Sequence, residues 1–224
     1  MSRPIGCQHN QLLGNELNLM KLDSANIIKK YNRIAPFYEG MEAIMEGLFF
    51  KHWREKLWAK TEGQHILEVG VGTGKNFAYY PKNAKVTAID FSPAMLAQAK
   101  LKKDARGINV DLHLMDIEFL QFADNSFDTV VASFVFCSVP SPAKGLKELQ
   151  RVCKPDGKVL LLEHVLSSQR LIAKLMNFVN PLVLSLVGAN INRNTVKSVQ
   201  GGTFRFVRVD ERSSDIIKLI EAVK

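Results

Sequence analysis

The sequence predicts a doubly wound α/β fold, and three observations predict it. Short runs rich in Val, Leu and Ile recur at 65–70, 85–90, 109–115, 128–135 and 157–165, as strands buried on both faces of a parallel sheet should. Helical stretches separate them, two of which begin at Ser92-Pro93 and Ser141-Pro142, each an N-cap followed by a first-turn proline. The first run ends in Glu68-Val69-Gly70-Val71-Gly72-Thr73-Gly74, where alternate glycines leave a loop of bare backbone that can approach a ligand closely.

Taken in order, residues 41–60 place Ile44, Leu48, Trp53, Leu57 and Trp58 at helical spacing, so an amphipathic helix precedes the first strand. A helix is expected to open near Gly74, a second to run from Ser92-Pro93 to about Lys103, and a third from Ser141-Pro142 to about Cys153. Lys154-Pro155-Asp156-Gly157 stops the third and turns the chain into the fifth strand. Residues 203–209 and 215–223 then supply two strands of an antiparallel hairpin edge, seven in all. The expected division is an N-terminal helical extension or lid over 1–64 and a core over 65–224 with an apolar insert near 170–191.

A chain of 224 residues, 46% of them hydrophobic, can bury a full core. Its cysteines, Cys7, Cys137 and Cys153, are odd in number and lack metal-ligand spacing, which points to a reducing compartment and to no metal. No charged-then-apolar leader opens the sequence, and Lys174, Asn177, Asn180 and Pro181 interrupt the longest apolar segment. The expected location is therefore cytoplasmic, or peripheral on a membrane. Net charge is +8, and residues 165–224 hold 9 Lys and Arg against 4 Asp and Glu. That excess suits a solvated face, an anionic membrane surface or an acidic acceptor; with no basic-aromatic repeat or zinc motif, nucleic acid is not an expected partner.

Glycine spacing narrows the ligand. A dinucleotide G-x-G-x-x-G starting at Gly70 would need glycine where Lys75 stands, and a P-loop would need glycine at Val69 and Ser or Thr at Asn76. An acid also closes the second strand, Asp90, twenty-two residues after Glu68, about where such folds offer a carboxylate to ribose hydroxyls. Acid-x-G-x-G-x-G followed by that acid resembles motif I and its sequel in class I methyltransferases that use S-adenosylmethionine (SAM). Met115-Asp116-Ile117, Asn125-Ser126-Phe127-Asp128 and Arg151-Val152-Cys153-Lys154-Pro155-Asp156-Gly157 extend the likeness, with Asp156 where that family often has glycine.

The resemblance implies a Rossmann-like doubly wound sheet of seven strands with an antiparallel C-terminal hairpin edge, the class I methyltransferase fold, and SAM as cofactor. It implies roles for particular residues as well. Glu68 would orient the amino end and the loop of Gly70, Gly72 and Gly74, Asp90 would hold the ribose, and Phe91 and Met95 would flank adenine. Asp116 and Ile117 would lie by the adenine amino group, and Ser133 by the methionine end.

Tyr31-Asn32-Arg33-Ile34-Ala35-Pro36-Phe37-Tyr38 resembles a lid segment of quinone-biosynthesis and phospholipid methyltransferases, which makes Tyr31 a catalytic candidate and Tyr38 a cofactor-binding one, both covering cofactor and acceptor; alternatively, both anchor the N-terminal helices in the core. Phe136-Cys137-Ser138-Val139 and Leu162-Glu163-His164-Val165 resemble the methyltransferase-like thiol methyltransferases. His164 is a candidate general base, its ordinary pKa being near neutrality, or else a packed core residue. The expected acceptor is small and lipophilic: a thiol, a phospholipid amine or a quinone precursor. Leu171 to Ile191, flanked by Arg170, Lys174 and Arg193, would roof it or touch a membrane. A non-catalytic SAM-binding regulator or scaffold, and more remotely an NAD-dependent oxidoreductase, are the alternatives.

Overall fold

The computed structural model describes residues 24–37, 40, 50–210 and 214–224. Its strands are β1 (His65–Val69), β2 (Lys85–Asp90), β3 (Val110–Leu114), β4 (Phe127–Ser133), β5 (Cys153–His164), β6 (Phe206–Val209) and β7 (Ile217–Val223). They form one seven-stranded sheet in the order β3-β2-β1-β4-β5-β7-β6. The first five are parallel, while β7 runs antiparallel to β5 and pairs with β6 as a hairpin. The expected architecture is therefore borne out, including its antiparallel edge.

Side-chain alternation explains why both faces are covered. Leu67, Val69, Ile89, Val130 and Leu161 turn to one face, where Leu146 and Leu149 of α4 (Pro142–Val152) pack on them. Ile66, Val86, Ala88, Val131 and Leu160 turn to the other, beneath Leu57 and Trp58 of α2 (Lys51–Trp58) and Ala99 of α3 (Pro93–Arg106). The remaining helices are α1 (residues 24–37), α5 (Arg170–Leu186) and α6 (Thr195–Gln200).

Local chemistry sets the boundaries. The Ser92 hydroxyl accepts from the Met95 amide at 3.2 Å, Pro93 follows it, and Gly107 closes α3 at φ 62°. Two expectations need correction. No α-helix opens at Gly74; turns lead to a single 3₁₀ turn, Phe77–Tyr79, because Pro81 forces Tyr80 into extended backbone. Nor is 154–157 a simple turn before β5: the strand already pairs at Cys153 and bulges before Lys158, with Asp156 at φ 61°. Of the helix expected over 41–60, residues 51–58 are helical and 41–49 lie outside the described residues.

In an open sheet of this kind ligands bind beyond the carboxyl ends of the strands, where the order reverses. Here that is the crevice between β1 and β4, with the glycine loop on one side and residues 134–140 on the other.

Candidate functional site

A cleft of about 880 Å³, counting its open mouth, occupies that crevice. Gly70, Gly72, Asp90, Phe91, Met95, Asp116, Ile117 and Ser133 all line it, together with Tyr31 from α1 and Arg54 from α2. Glu68, Gly74 and His164 are not among its lining residues, and Tyr38 lies outside the described residues.

The glycine loop shows why glycine stands where it does. Gly70, Gly72 and Gly74 have φ of 69°, 56° and 77°. A Cβ on Gly70 would lie 2.4 Å from the Val135 side chain and one on Gly74 2.4 Å from the Phe77 ring, but one on Gly72 would meet nothing within 4 Å. Gly70 and Gly74 thus serve packing, and Gly72 leaves room in the cleft. Gly70→Ala should cost roughly 2–4 kcal/mol of stability through strain and overpacking, whereas Gly72→Ala should cost only about 1 kcal/mol. Denaturant unfolding checks this, and a SAM titration on the same two variants should show Gly72→Ala losing affinity out of proportion to stability.

Asp90, at the end of β2, is buried and accepts from the Gly72 amide and the Ser92 amide, each at 2.8 Å. Burial pushes its pKa up to about 6 against those two bonds. Asp116 accepts from the Glu118 amide at 2.9 Å and from the Ser24 hydroxyl at 3.4 Å. Tyr31 meets Phe91 edge-on, with ring centres 5.6 Å apart, and its hydroxyl lies 2.5 Å from the Ser138 hydroxyl. Asn32 ties α1 to the start of α3, accepting from the Ser92 hydroxyl at 2.7 Å.

Beneath the loop lies a buried polar network that the sequence did not announce. Glu68 accepts from the Asn76 amide at 2.5 Å and from the Tyr80 hydroxyl. Arg54 donates to Asn76 Oδ1 and Ser133 Oγ, both at 3.0 Å, and its guanidinium lies 5.3 Å from the centre of the Phe134 ring. Burial pushes Glu68 up to about 7, opposed by bonds from Tyr80 and Asn76 and by the Arg54 charge. Among the described residues Glu68 is joined to the cleft lining through Asn76, which Arg54 also engages.

The opposite wall is built on strain. Phe134 has φ 58°, a left-handed conformation costly for a bulky side chain, and Glu163 of β5 holds the turn by accepting from the Val135 and Phe136 amides at 2.9 and 3.1 Å. Burial pushes the Glu163 carboxyl up to about 8, and its second oxygen has no partner among the described residues. His164 packs its ring 4.7 Å from the Phe134 ring and 5.6 Å from the Phe50 ring, centre to centre. Burial holds its pKa below the usual imidazole value. Cys137 is buried, with its thiol pushed up to about 12 by burial; no described cluster of His, Cys, Asp and Glu could hold a metal.

Residues 67–161 match the family model of a methyltransferase domain. The chain is 36% identical to a phosphatidylethanolamine N-methyltransferase of Cereibacter sphaeroides, across 67% of its own length and 81% of the relative's. The chain belongs to the class I SAM-dependent methyltransferases. It is also 33% identical to the ubiquinone/menaquinone biosynthesis C-methyltransferase UbiE of Bdellovibrio bacteriovorus, over 70% of each chain. Thiol S-methyltransferase TMT1B of Rattus norvegicus is 35% identical across 65% of this chain and 62% of that one. A solved SAM-dependent methyltransferase of Thermotoga maritima superposes with a TM-score of 0.66 over 88% of this chain and 99% of its own, at 18% identity, which is likeness of fold.

The residues of this methyltransferase fit the cofactor. Asp90, which takes bonds from the Gly72, Ser92 and Phe91 amides, keeps acceptor capacity for a hydroxyl donor. Thr73, buried and lining the cleft, has a hydroxyl without a partner among the described residues. Arg54 puts a guanidinium on the cleft wall beside the glycine loop, where a carboxylate can be met. SAM, when bound, supplies a methyl group already activated on a sulfonium. What the protein adds is alignment and exclusion of water, so the site needs little acid-base machinery.

Proposed function

We propose that this methyltransferase acts on a small lipophilic acceptor admitted between α1 and the 134–140 loop. The observation that favours this is the character of that wall. Phe134, Val135, Val139 and Pro140 give it an apolar surface, and the paired hydroxyls of Tyr31 and Ser138 give it one polar point at which an acceptor atom can be held. A thiol, a phospholipid amine and a quinone-precursor carbon each satisfy that description. The three relatives bear names for those same three acceptors. The N-terminal segment acts as a lid in this reading, since Tyr31 and Arg54 both reach the cleft from it.

The test is methyl transfer from labelled SAM to a long-chain alkyl thiol, to phosphatidylethanolamine micelles and to a demethylated quinone precursor. Label in one organic product identifies the acceptor. Normal SAM binding with no transfer to any of the three, nor to a lipid extract, would replace this reading with a non-catalytic SAM-binding protein.

Tyr31→Phe keeps the ring on Phe91 and removes the hydroxyl, so turnover should fall roughly ten- to a hundredfold with SAM affinity nearly unchanged. His164→Asn separates a base from a packing residue. Because the ring rests on Phe134 and lies outside the cleft lining, thermal stability should fall while turnover of the folded fraction holds. A turnover loss that exceeds the stability loss, with a flattened pH profile, would make His164 the base instead.

A further inference from the structure

Helix α5 presents an apolar stripe to the outside. Leu171, Leu175, Phe178, Leu182 and Leu186 are 83, 61, 83, 61 and 52% exposed, and their spacing of four, three, four and four residues sets them on one side of the helix. The other side is fastened to the protein: Asn180 is buried, and its side-chain Oδ1 accepts from the Ile191 amide at 2.9 Å. A contiguous surface of five large apolar side chains marks a site of contact.

Charge identifies what the stripe meets. From His164 to Val209 the chain holds no Asp or Glu, and of the cations in this stretch Arg170 and Lys174 belong to α5 itself, while Arg205 pairs with Asp156 at 2.7 Å and Arg208 faces Glu221 across the β6–β7 hairpin. Arg193, expected beside the stripe, is turned inward instead, donating to the Phe136 and Val139 carbonyls at 2.6 and 2.5 Å. Arg170 and Lys174 are exposed at the edge of the stripe. At the far end Lys30 and Arg33 of α1 donate to the carbonyls of Leu184 and Leu186 at 2.6 and 3.1 Å, two cations on the negative end of the helix. Among the described residues Asp215 lies near the helix start, where it accepts hydrogen bonds from Ser167 and Ser168.

We propose that α5 is an interfacial helix that seats this stripe in the surface of an anionic lipid bilayer, with Arg170 and Lys174 at the level of the headgroups. A mixed apolar and cationic helix face favours this partner. Among the described residues no helix is long and apolar enough to cross a membrane, so α5 lies in the plane of the surface. The contact also has a consequence for the cleft. The chain leaving α5 binds the acceptor wall directly, the Asn190 amide donating to the Cys137 carbonyl at 2.8 Å beside the two Arg193 bonds. A lipophilic acceptor could then pass from the bilayer to the cleft without crossing water. That last step rests on the acceptor reading above; the surface contact itself does not.

Sedimentation of the full chain with phosphatidylcholine vesicles, with and without phosphatidylglycerol, tests the contact. Binding should be strong with the anionic lipid, weak without it, and reduced by salt. The double substitution Leu175→Ser with Phe178→Ser should lower partitioning about tenfold or more, and Lys174→Glu about fivefold or more. All three positions are exposed, so SAM affinity should be unchanged and serves as the folding control. Negligible binding to both vesicles at low salt overturns the proposal, as does anionic binding that survives the double substitution. Lipid-free dimerisation abolished by the double substitution would also overturn it and assign the stripe to a second copy of the chain. Stripe-dependent vesicle binding without methyl transfer would uphold the contact and defeat the acceptor reading alone.

Discussion

Asp90→Ala should weaken SAM binding by about ten- to a hundredfold, measured by calorimetric titration of the folded variant, which is the loss of one charge-assisted bond worth about 1.5–3 kcal/mol. The carboxylate is buried at the end of β2, and beside its bonds from the Gly72, Ser92 and Phe91 amides it keeps acceptor capacity for a ribose hydroxyl. A pH series adds a second signature. Hydroxyl donors need the ionised form, and burial raises the pKa to about 6, so affinity should fall as pH is lowered through that value. Folding stability moves the other way. An unfolded Asp titrates near 3.9, so between about 4 and 6 the native state holds the extra proton, and the contribution of Asp90 to stability declines as pH rises. The difference between parent and variant isolates that term from the other carboxylates. Unchanged SAM affinity in a folded Asp90→Ala protein would remove this residue from the site.

Asp90 was legible because its signal is local: an acid closing an apolar run, at a set distance from a glycine loop. The same holds for the strands and for α3, which Ser92 caps; α4 starts at its Ser-Pro pair as expected, but Ser141 makes no side-chain capping bond. Arg54 was missed for the opposite reason, its partners Asn76 and Ser133 lying 22 and 79 residues away. A trace of it was nevertheless present. Arg54 shares a helix face with Leu57 and Trp58, and a charge on an otherwise apolar face calls for a buried partner. Thr73 and Asn76 left no such trace, being small polar residues in a loop whose glycines already explained the pattern. Gly74 misled because a glycine loop of this kind usually opens a helix, and the effect of Pro81 on Tyr80 outweighed that tendency. Arg193 misled because sequence distance from an apolar segment says nothing about which way a side chain turns.

Glu68→Ala should destabilise the fold by about 3–5 kcal/mol, the cost of breaking a buried charge network by removing one member. Glu68 is fully buried and draws together the glycine loop and the turn after it through Asn76 and Tyr80, while Arg54 approaches the same Asn76 from α2. Without the carboxylate the Asn76 amide and Tyr80 hydroxyl lose their acceptor, and Arg54 loses a nearby acidic group. Glu68→Gln keeps the shape and one acceptor, and the Tyr80 hydroxyl can turn to accept from the new amide, so its cost should be less than half that of Ala. Urea unfolding of the three proteins measures the series. SAM affinity of the folded Gln variant then tells the two roles of this residue apart. A carboxylate that acts only through Asn76 predicts a modest loss, and a loss as large as that of Asp90→Ala would mean that Glu68 meets the cofactor itself.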